Sequence, residues 1–476
     1  MKFLTVLLVL YFSFSITHAQ SLKPGLPEKE IDRIIAEQME KLSIPGAAIA
    51  VVKDGKIIFK KGYGVADIEK KNPISADKTI FRIGSITKVF TAVAVMRLAD
   101  EGKIKLTDDV NKYLKNFKVP NTYDEPITFA DLLTHSSGLD EITPGRRTSD
   151  AAKLVPLGEF LKTRLIRRLP PGEVISYSTY NSALAGYLVE QISGKTLGEY
   201  FRANIFKPLE MNRTSLAEIP KNLESDFATG YEVEDGKRIK LPFQWFNTYP
   251  ASDINSTAVD MAHFIIAHLE SGVYKNKRML SKNAIEAMHR KQFSGHPQIL
   301  GYTYGFQEWE RNSIRFIEHG GSMDDGYSAL LSLVPAENFG FFVAVNTEGG
   351  GFGVANALKT MFLEKYFSKP DITKTNAKTN QSKTNLEKFA GKYQNDIYCH
   401  SCTPDSGAYR PEPFEVKVNT DGTLSFWGAN WRQIEPLVFE LASGARAGQI
   451  KIAFRDNSKG EIIYMFQDWS TFERVP

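Results

Sequence analysis

Apolar and polar positions change period several times along this chain, and the changes divide it into segments. In "PEKEIDRIIAEQMEKLSI" the residues Ile31, Ile34, Ile35, Met39 and Leu42 recur at helical spacing and predict one buried face. "GAAIAVVKDGKIIFKKGYG" follows, two apolar runs around Asp54-Gly55, which predicts a β-hairpin. Helical patterns dominate from residue 84 to about residue 290. Strand-like runs return in "SALLSLVP" and "FGFFVAVN", and "NALKTMFLEKYF" has helical spacing again. A sheet begun by N-terminal strands and completed by C-terminal ones, with a helical insertion between, predicts an α/β sandwich plus an all-α lobe. A cleft between such lobes is a usual place for a small-molecule site.

The pattern breaks at both ends of this unit. Ser368 to Asn385 is Lys, Thr, Asn and Ser with almost nothing apolar, and reads as a linker. Beyond it "FEVKVNTDGTLSFWG", "QIKIAFRD" and "EIIYMFQD" predict short strands of a small antiparallel β domain, barrel or sandwich. At the other end Lys2 precedes the apolar run Phe3 to Ile16, and small residues at Thr17 and Ala19 offer a cleavage site after Ala19. That is a secretory signal peptide. Its run is shorter than the roughly 20 residues that span a bilayer. No cysteine follows it as a lipoprotein anchor requires, and no later stretch has membrane-helix character. The expected organisation is a signal peptide (1–19), a catalytic domain (20–367), a linker (368–385) and an accessory β domain (386–476). The expected location is periplasmic or secreted.

Composition narrows the partners. The 476 residues carry a net charge of +4, and loss of Lys2 with the signal peptide leaves +3. That near-balance argues against nucleic acid or an anionic surface as the main partner. With 42% hydrophobic content the chain has ample material for a large core and two domains. The only cysteines are Cys399 and Cys402, in "YCHSCTP". The spacing is open to a redox centre, half a zinc site or a disulfide. No second pair completes zinc, and an oxidising compartment favours a structural disulfide. Because it lies beyond the linker, catalysis is expected not to depend on it.

Candidate chemistry starts from two copies of S-x-x-K. Ser75-x-x-Lys78 sits in a polar loop. Ser85-x-x-Lys88 follows Gly84 and opens an apolar helical run through Val89, Ala92, Val93, Met96 and Leu98. Residues three apart on a helix share a side, so Lys88 falls one turn from Ser85. A buried lysine gives up its proton more readily and can serve as a base. A plain serine cap reads the same segment equally well. Three other stretches bear on the choice: "ISYSTYNSALAGYLVEQISGK" with Tyr177 ahead of a helix, "ITFADLLTHSSGL" with the capping box Thr128-x-x-Asp131, and "IEHGGSMDDGYSALLSLVP" with His319-Gly320-Gly321-Ser322 on a strand.

In this combination and order the chain resembles the penicillin-recognising serine hydrolases: class C β-lactamases, D-alanyl-D-alanine carboxypeptidases, D-aminopeptidases and related esterases. The resemblance runs from about residue 28 to 365. It implies an antiparallel sheet flanked by helices plus an all-α lobe, and no metal or cofactor. It implies Ser85 as nucleophile, with Lys88 and Tyr177 sharing the proton and Tyr177 as base. The N–H groups of Ser85 and Ser322 would form an oxyanion hole, with Thr179, His319, Gly320 and Gly321 lining the substrate. The implied reaction is acyl transfer on a small ester, amide or peptide, including D-amino-acid peptides and β-lactams. The rival reading is a non-catalytic peptidoglycan- or ligand-binding sensor that keeps the fold. The sequence carries no signal for an oligomeric state.

Three positions depart from the family pattern. Thr179 stands where the tyrosine motif usually ends in Asn, His319 where many β-lactamases have lysine, and Ser252-Asp253 where relatives often have Gly-Gly. With an ordinary pKa of about 6.5, His319 is expected to be mostly neutral near pH 7 and to gain charge by pH 6. His135 reads as a hydrogen-bonded structural residue, His263 and His268 do not share a helix face, and the acids of "EHGGSMDD" read as a solvated loop.

Overall fold

The computed structural model describes residues 25–26, 28–367 and 385–476. The signal peptide expected at 1–19 lies outside the described residues, as does nearly all of the linker. Seven strands form one antiparallel sheet, in the order Gln307–Arg311, Ile314–Met323, Tyr327–Val334, Phe339–Val345, Gly46–Lys53, Lys56–Asp67 and Asn72–Pro73. Segments from the two ends of this unit therefore meet at the middle of the sheet, where Gly46–Lys53 pairs with Phe339–Val345. Both strands are apolar at almost every position because both sheet faces are covered. Ala48, Ala50 and Val52 enter the core shared with the helical lobe. Ala47, Ile49 and Val51 pack under the helices Glu28–Lys41 and Gly350–Lys365. The hairpin turns on Asp54 and Gly55, both at positive φ (50° and 69°), the conformation a two-residue turn between twisted strands demands.

The helical lobe is less helical than its sequence pattern. Its main helices are Thr87–Asp100, Thr179–Ser193 and Ala258–Leu269, with shorter ones at Phe129–Leu133, Leu157–Lys162 and Lys282–His289. Loops and small hairpins such as Tyr231–Glu234 with Lys237–Lys240 fill the intervals. Stretches like "VPNTYDEP" and "DEITPGRRTSD" explain this: Pro, Gly, Asp and Asn favour turns and interrupt helical hydrogen bonding. The helices Thr87–Asp100 and Thr179–Ser193 are buried on nearly every side, so they form the spine of the lobe.

The C-terminal residues close into an eight-stranded barrel, from Gly391–Asn395 to Ser470–Val475, around Phe389, Tyr393, Trp431, Phe439 and Phe454. The barrel is seated on the first domain. Val438, Ala453, Tyr464 and Phe466 share one apolar cluster with Val174 and Ile299. Phe466 lies so close over Gly295 that an added Cβ there would come within 2.3 Å of the ring.

A buried ion triad ties the segments around the sheet edge. Arg82 donates to Asp253 Oδ1 at 2.8 Å and to Asp325 Oδ2 at 2.5 Å, and all three side chains are almost fully buried. The acids of "EHGGSMDD" therefore are not a solvated loop. Asp325 lies in the interior, and only Asp324 remains outside, paired with Arg147. Asp253, one half of the unusual Ser252-Asp253 pair, is the second anchor. Burial pushes its carboxyl up to about 7 against the pull of Arg82. Arg82→Met should destabilise the fold by about 3–5 kcal/mol, since it leaves two buried carboxylates without their cation. Lys61→Ala, which breaks the exposed Lys61–Asp32 pair, should cost under about 1 kcal/mol. Urea unfolding of the two variants checks the contrast.

Candidate active site

Ser85 belongs to a 3-10 turn, Gly84–Ile86, that runs straight into the helix Thr87–Asp100. Gly84 enters the turn at φ +54°. No serine side chain caps this helix. Ser85 Oγ instead meets Lys88 Nζ at 2.9 Å, which removes the plain-cap reading. Lys88 Nζ also donates to the carbonyl of Ala251 at 3.0 Å, and its side chain is buried. Burial pushes the Lys88 amine down to about 7. Glu141 opposes that shift and Arg146 adds to it. The other copy of the motif is different. Ser75 lies in a turn, its N–H donating to Thr79 Oγ1, and Lys78 is exposed.

Tyr177 stands on a third side of Ser85. Burial raises its phenol well above the ordinary range, while its interaction with Ser85 works the other way. Lys88 Nζ sits 5.1 Å from its ring centre, and His135 stacks on the ring at 4.4 Å. His135 is structural as expected: it is buried, and its Nδ1 faces the N–H of Ser178 at 3.2 Å and the Asn181 amide at 3.1 Å. Burial holds its pKa well below the usual value. His263 and His268 take separate partners, Leu209 O for the first and His289 for the second.

The strand Ile314–Met323 brings His319, Gly320, Gly321 and Ser322 to the same place. Its backbone lies directly against the turn that carries Ser85. A Cβ at Gly321 would fall 1.9 Å from Ile83 O and 3.2 Å from Ser85 N, and one at Gly84 would fall 3.0 Å from Ser322 N. Only glycine at 321 allows that approach. Gly320 faces Phe352 with similar closeness, at 2.5 Å from its added Cβ. A cleft of about 590 Å³ opens here, with Ser85, Tyr177, His319, Gly320 and Ser322 on its wall.

Two residues differ from the sequence expectation. Thr179 does not line this cleft: its N–H and hydroxyl donate to Glu141 at 2.6 and 2.7 Å, and Arg146 donates to its Oγ1 at 3.0 Å. It holds the start of the tyrosine helix and presents nothing to a substrate. His319 does not gain charge by pH 6, because burial and the nearby Lys88 push its imidazole down to about 3. Its Nδ1 lies 2.7 Å from Gly320 O, a geometry that places the ring proton there.

The surroundings of the site include residues that the sequence did not mark. Glu141 and Arg146, from a loop with no motif, act on Lys88 and hold Thr179 without lining the cleft. Ile397, Asp468, Trp469 and Ser470 come from the barrel and form part of the cleft wall. The disulfide is near as well. Cys399 and Cys402 are bonded, and the N–H groups of His400 and Ser401 both donate to the carboxylate of Asp140 at 2.9 Å. Asp140 adjoins Glu141, and its carbonyl accepts from Ser178 Oγ. Distance along the chain is thus no distance in space, and the premise for placing the disulfide away from the site does not hold. The cluster Asp396, His400 and Glu473 has the ligand types of a metal site. Arg168 already occupies it, paired to both carboxylates, so its donor set does not fit a second cation.

The family model described as Beta-lactamase matches residues 31–363. Protein flp of Staphylococcus aureus (strain N315) is 31% identical over 332 residues, 67% of this chain and 63% of that protein. PbpX of Bacillus subtilis (strain 168), named as a penicillin-binding protein, is 30% identical over 256 residues, 52% of this chain and 61% of that one. The chain thus spans less than two thirds of the length of these relatives. The octameric penicillin-binding protein homologue from Pyrococcus abyssi superposes with a TM-score of 0.62 at 24% identity, covering 94% of this chain and 100% of that one. At that identity the likeness is one of fold, and its coverage takes in the barrel. Sequence, fold and the order of motifs agree: the chain belongs to the beta-lactamase family, within the penicillin-binding and serine-hydrolase superfamily.

Proposed function

We propose that this chain is an exported serine hydrolase that forms an acyl-enzyme on Ser85 and acts on small esters and amides, short D-amino-acid peptides among them. The observation that carries this reading is the 2.9 Å contact of Ser85 Oγ with Lys88 Nζ, made by an amine whose pKa burial lowers to about 7. Near neutral pH a large share of Lys88 is uncharged. Its lone pair then faces the serine hydroxyl while an N–H stays on Ala251 O. Ser85 Oγ bonds to the acyl carbon and its proton passes to Lys88. Tyr177, whose raised pKa keeps it protonated, donates to the departing amine or alkoxide and recovers a proton from Lys88. A water then attacks the acyl-enzyme by the reverse transfers. The base role that the resemblance gave to Tyr177 thus suits Lys88 better. The oxyanion would rest between the N–H groups of Ser85 and Ser322, each such donor supplying about 3 kcal/mol.

Preference follows from which charges the site offers. A β-lactam ring carboxylate needs a cation, and His319 is neutral. Thr179, which stands where the family pattern has an amide, is committed to Glu141 and offers no donor from that position. Esters and uncharged amides need neither.

Fluorophosphonate labelling followed by mass spectrometry should mark Ser85, be lost in Ser85→Ala and persist in Ser75→Ala; labelling elsewhere would sink the assignment. Gly321→Ala should slow that labelling by about 100-fold, because the added methyl displaces the nucleophile turn. The pH profile of kcat/KM for p-nitrophenyl esters should fall below pH 7 as Lys88 gains its proton and becomes unable to accept the one from Ser85. Nitrocefin should be the poorer substrate, and it should gain nothing between pH 8 and pH 6, since His319 titrates only near 3. A nitrocefin rate that rises on acidification would contradict this electrostatic picture.

A further inference from the structure

The disulfide reaches the surroundings of Ser85 through two consecutive acids. Asp140 is buried, and its carboxylate accepts three backbone N–H groups: those of His400 and Glu141 on Oδ1 and that of Ser401 on Oδ2, each at 2.9 Å. Cys399 Sγ lies 4.0 Å from Oδ2 and, being bonded to Cys402, carries no proton to donate. No cation pairs with Asp140 among the described residues. Successive N–H groups that converge on one anion form a concave backbone nest. They converge here because the bridge closes a short loop, with 5.4 Å between the Cα atoms of Cys399 and Cys402. Once opened, the loop gains conformational freedom and its N–H groups lose their common direction. The loop is also fixed to the barrel. His400 stacks on Tyr398 at 3.7 Å, and its Nε2 lies 3.3 Å from Asp396 Oδ1, the carboxylate paired with Arg168.

Asp140 passes this restraint on to Tyr177 and Lys88. Its N–H donates to Ile166 O at 2.9 Å, and its carbonyl accepts from Ser178 Oγ at 3.0 Å. Ser178 follows Tyr177 and caps the helix Thr179–Ser193, its Oγ accepting the N–H of Tyr180 at 3.2 Å. Glu141 accepts the N–H and the hydroxyl of Thr179 at 2.6 and 2.7 Å. The backbone that carries Tyr177 is therefore held by the carbonyl of one acid and the carboxylate of the next. Glu141 is also the anion that opposes the fall of the Lys88 amine; the other charged or titratable neighbours of Lys88 are Arg146, Tyr177, His135 and His319. A shift of Asp140 carries Glu141 with it, because a planar peptide holds successive Cα atoms about 3.8 Å apart.

We infer that Asp140 is a positioning residue for acyl transfer at Ser85, and that the Cys399–Cys402 loop keeps Tyr177 and Glu141 in place through its carboxylate. The closed loop sets where Tyr177 stands against Ser85 and how close the negative charge of Glu141 comes to Lys88. The opened loop releases both. Asp140 lies outside the cleft wall and touches no substrate in this role. The inference rests on the acyl-enzyme reading, and the test separates the two.

The full chain is assayed with a p-nitrophenyl ester as wild type, as wild type treated with dithiothreitol, as the double variant Cys399→Ser with Cys402→Ser, and as Asp140→Asn, whose amide keeps the shape but accepts at one atom only. Dithiothreitol gives up two electrons and two protons and closes to its own ring disulfide, while Cys399 and Cys402 become thiols. Thiol counting confirms the opening. Each altered form should lose about 10- to 100-fold in kcat with KM little changed, as misplaced reacting groups do. Adding Asp140→Asn to the serine pair should cost little beyond either change alone, because both break one link. The acid limb of kcat/KM should move to lower pH, since a displaced Glu141 no longer raises the Lys88 amine. A general loosening of the fold leaves that limb where it is. Val438→Ala, which loosens the seat of the barrel elsewhere, should keep both kcat and the limb. Full activity with the disulfide open, multiplicative losses, an unmoved limb or an equal kcat loss in Val438→Ala each overturns the inference. Where the serine pair fails to fold, Asp140→Asn with its disulfide intact decides by kcat and the limb, and the reverse holds. Absence of fluorophosphonate labelling at Ser85 in the wild-type chain removes the acyl-enzyme reading and this inference together. Normal wild-type labelling with unchanged rates in the variants removes this inference alone.

Discussion

The site depends first on one guanidinium. Arg82 lies three residues before Ser85, and the carboxylates it binds belong to Asp253, two residues after Ala251, and Asp325, three residues after Ser322. Ala251 supplies the carbonyl that orients Lys88. The triad therefore fixes the turn that carries Ser85, the acceptor of Lys88 and the end of the strand Ile314–Met323 relative to one another. Arg82 also donates to Gln244 O and lies over Phe243 at 4.3 Å, so a fourth segment is tied to the same point. One arginine between two buried acids is a poor source of stability, because desolvation offsets much of the attraction. Its geometric strictness is what the site uses: a planar fork accepts its partners in few orientations.

The same interior that makes the triad strict sets the chemistry at Ser85. Lys88, Tyr177 and His319 all lose water, and each is displaced toward its neutral form. Lys88 gives up its proton more readily near neutral pH, Tyr177 keeps its own and His319 is an uncharged wall. Glu141 matters here as the nearby anion that limits how far Lys88 falls, and as the acceptor for the first N–H of the tyrosine helix. A single loop carboxylate thus positions Thr179 and moderates the amine. Neither task requires it to touch a substrate.

The barrel and the first domain act as one body around this site. Apolar packing through Phe466 and Val174, the ion pairs of Arg168 with Asp396 and Glu473, and the Thr471–Ile175 hydrogen bond all converge on the segment leading to Tyr177. The disulfide loop adds its two N–H groups on Asp140. An accessory domain attached this closely can shape what the nucleophile meets.

How much of this was readable beforehand depends on how local the information is. Ser85, Lys88, Tyr177 and His319 stand out because each sits in a short motif with helix or strand context, and the hairpin around Asp54-Gly55 follows from its apolar runs and turn residues. The lobe is less helical than its apolar spacing predicts, since that spacing does not register the turns that Pro, Gly and Asp impose between short helices. Sequence patterns point Thr179 to substrate and Asp325 to solvent because their real partners, Glu141 and Arg82, are 38 and 243 residues away in the chain. Asp468 and Trp469 gave no signal beyond a turn between two strands. The sequence by itself determined the family, the candidate Ser85–Lys88 pair and the strand and helix periods, all of which are written in residues close together. Only the tertiary structure decided which charges are compensated and which face the cleft, because burial and pairing depend on segments that meet through packing and not through order.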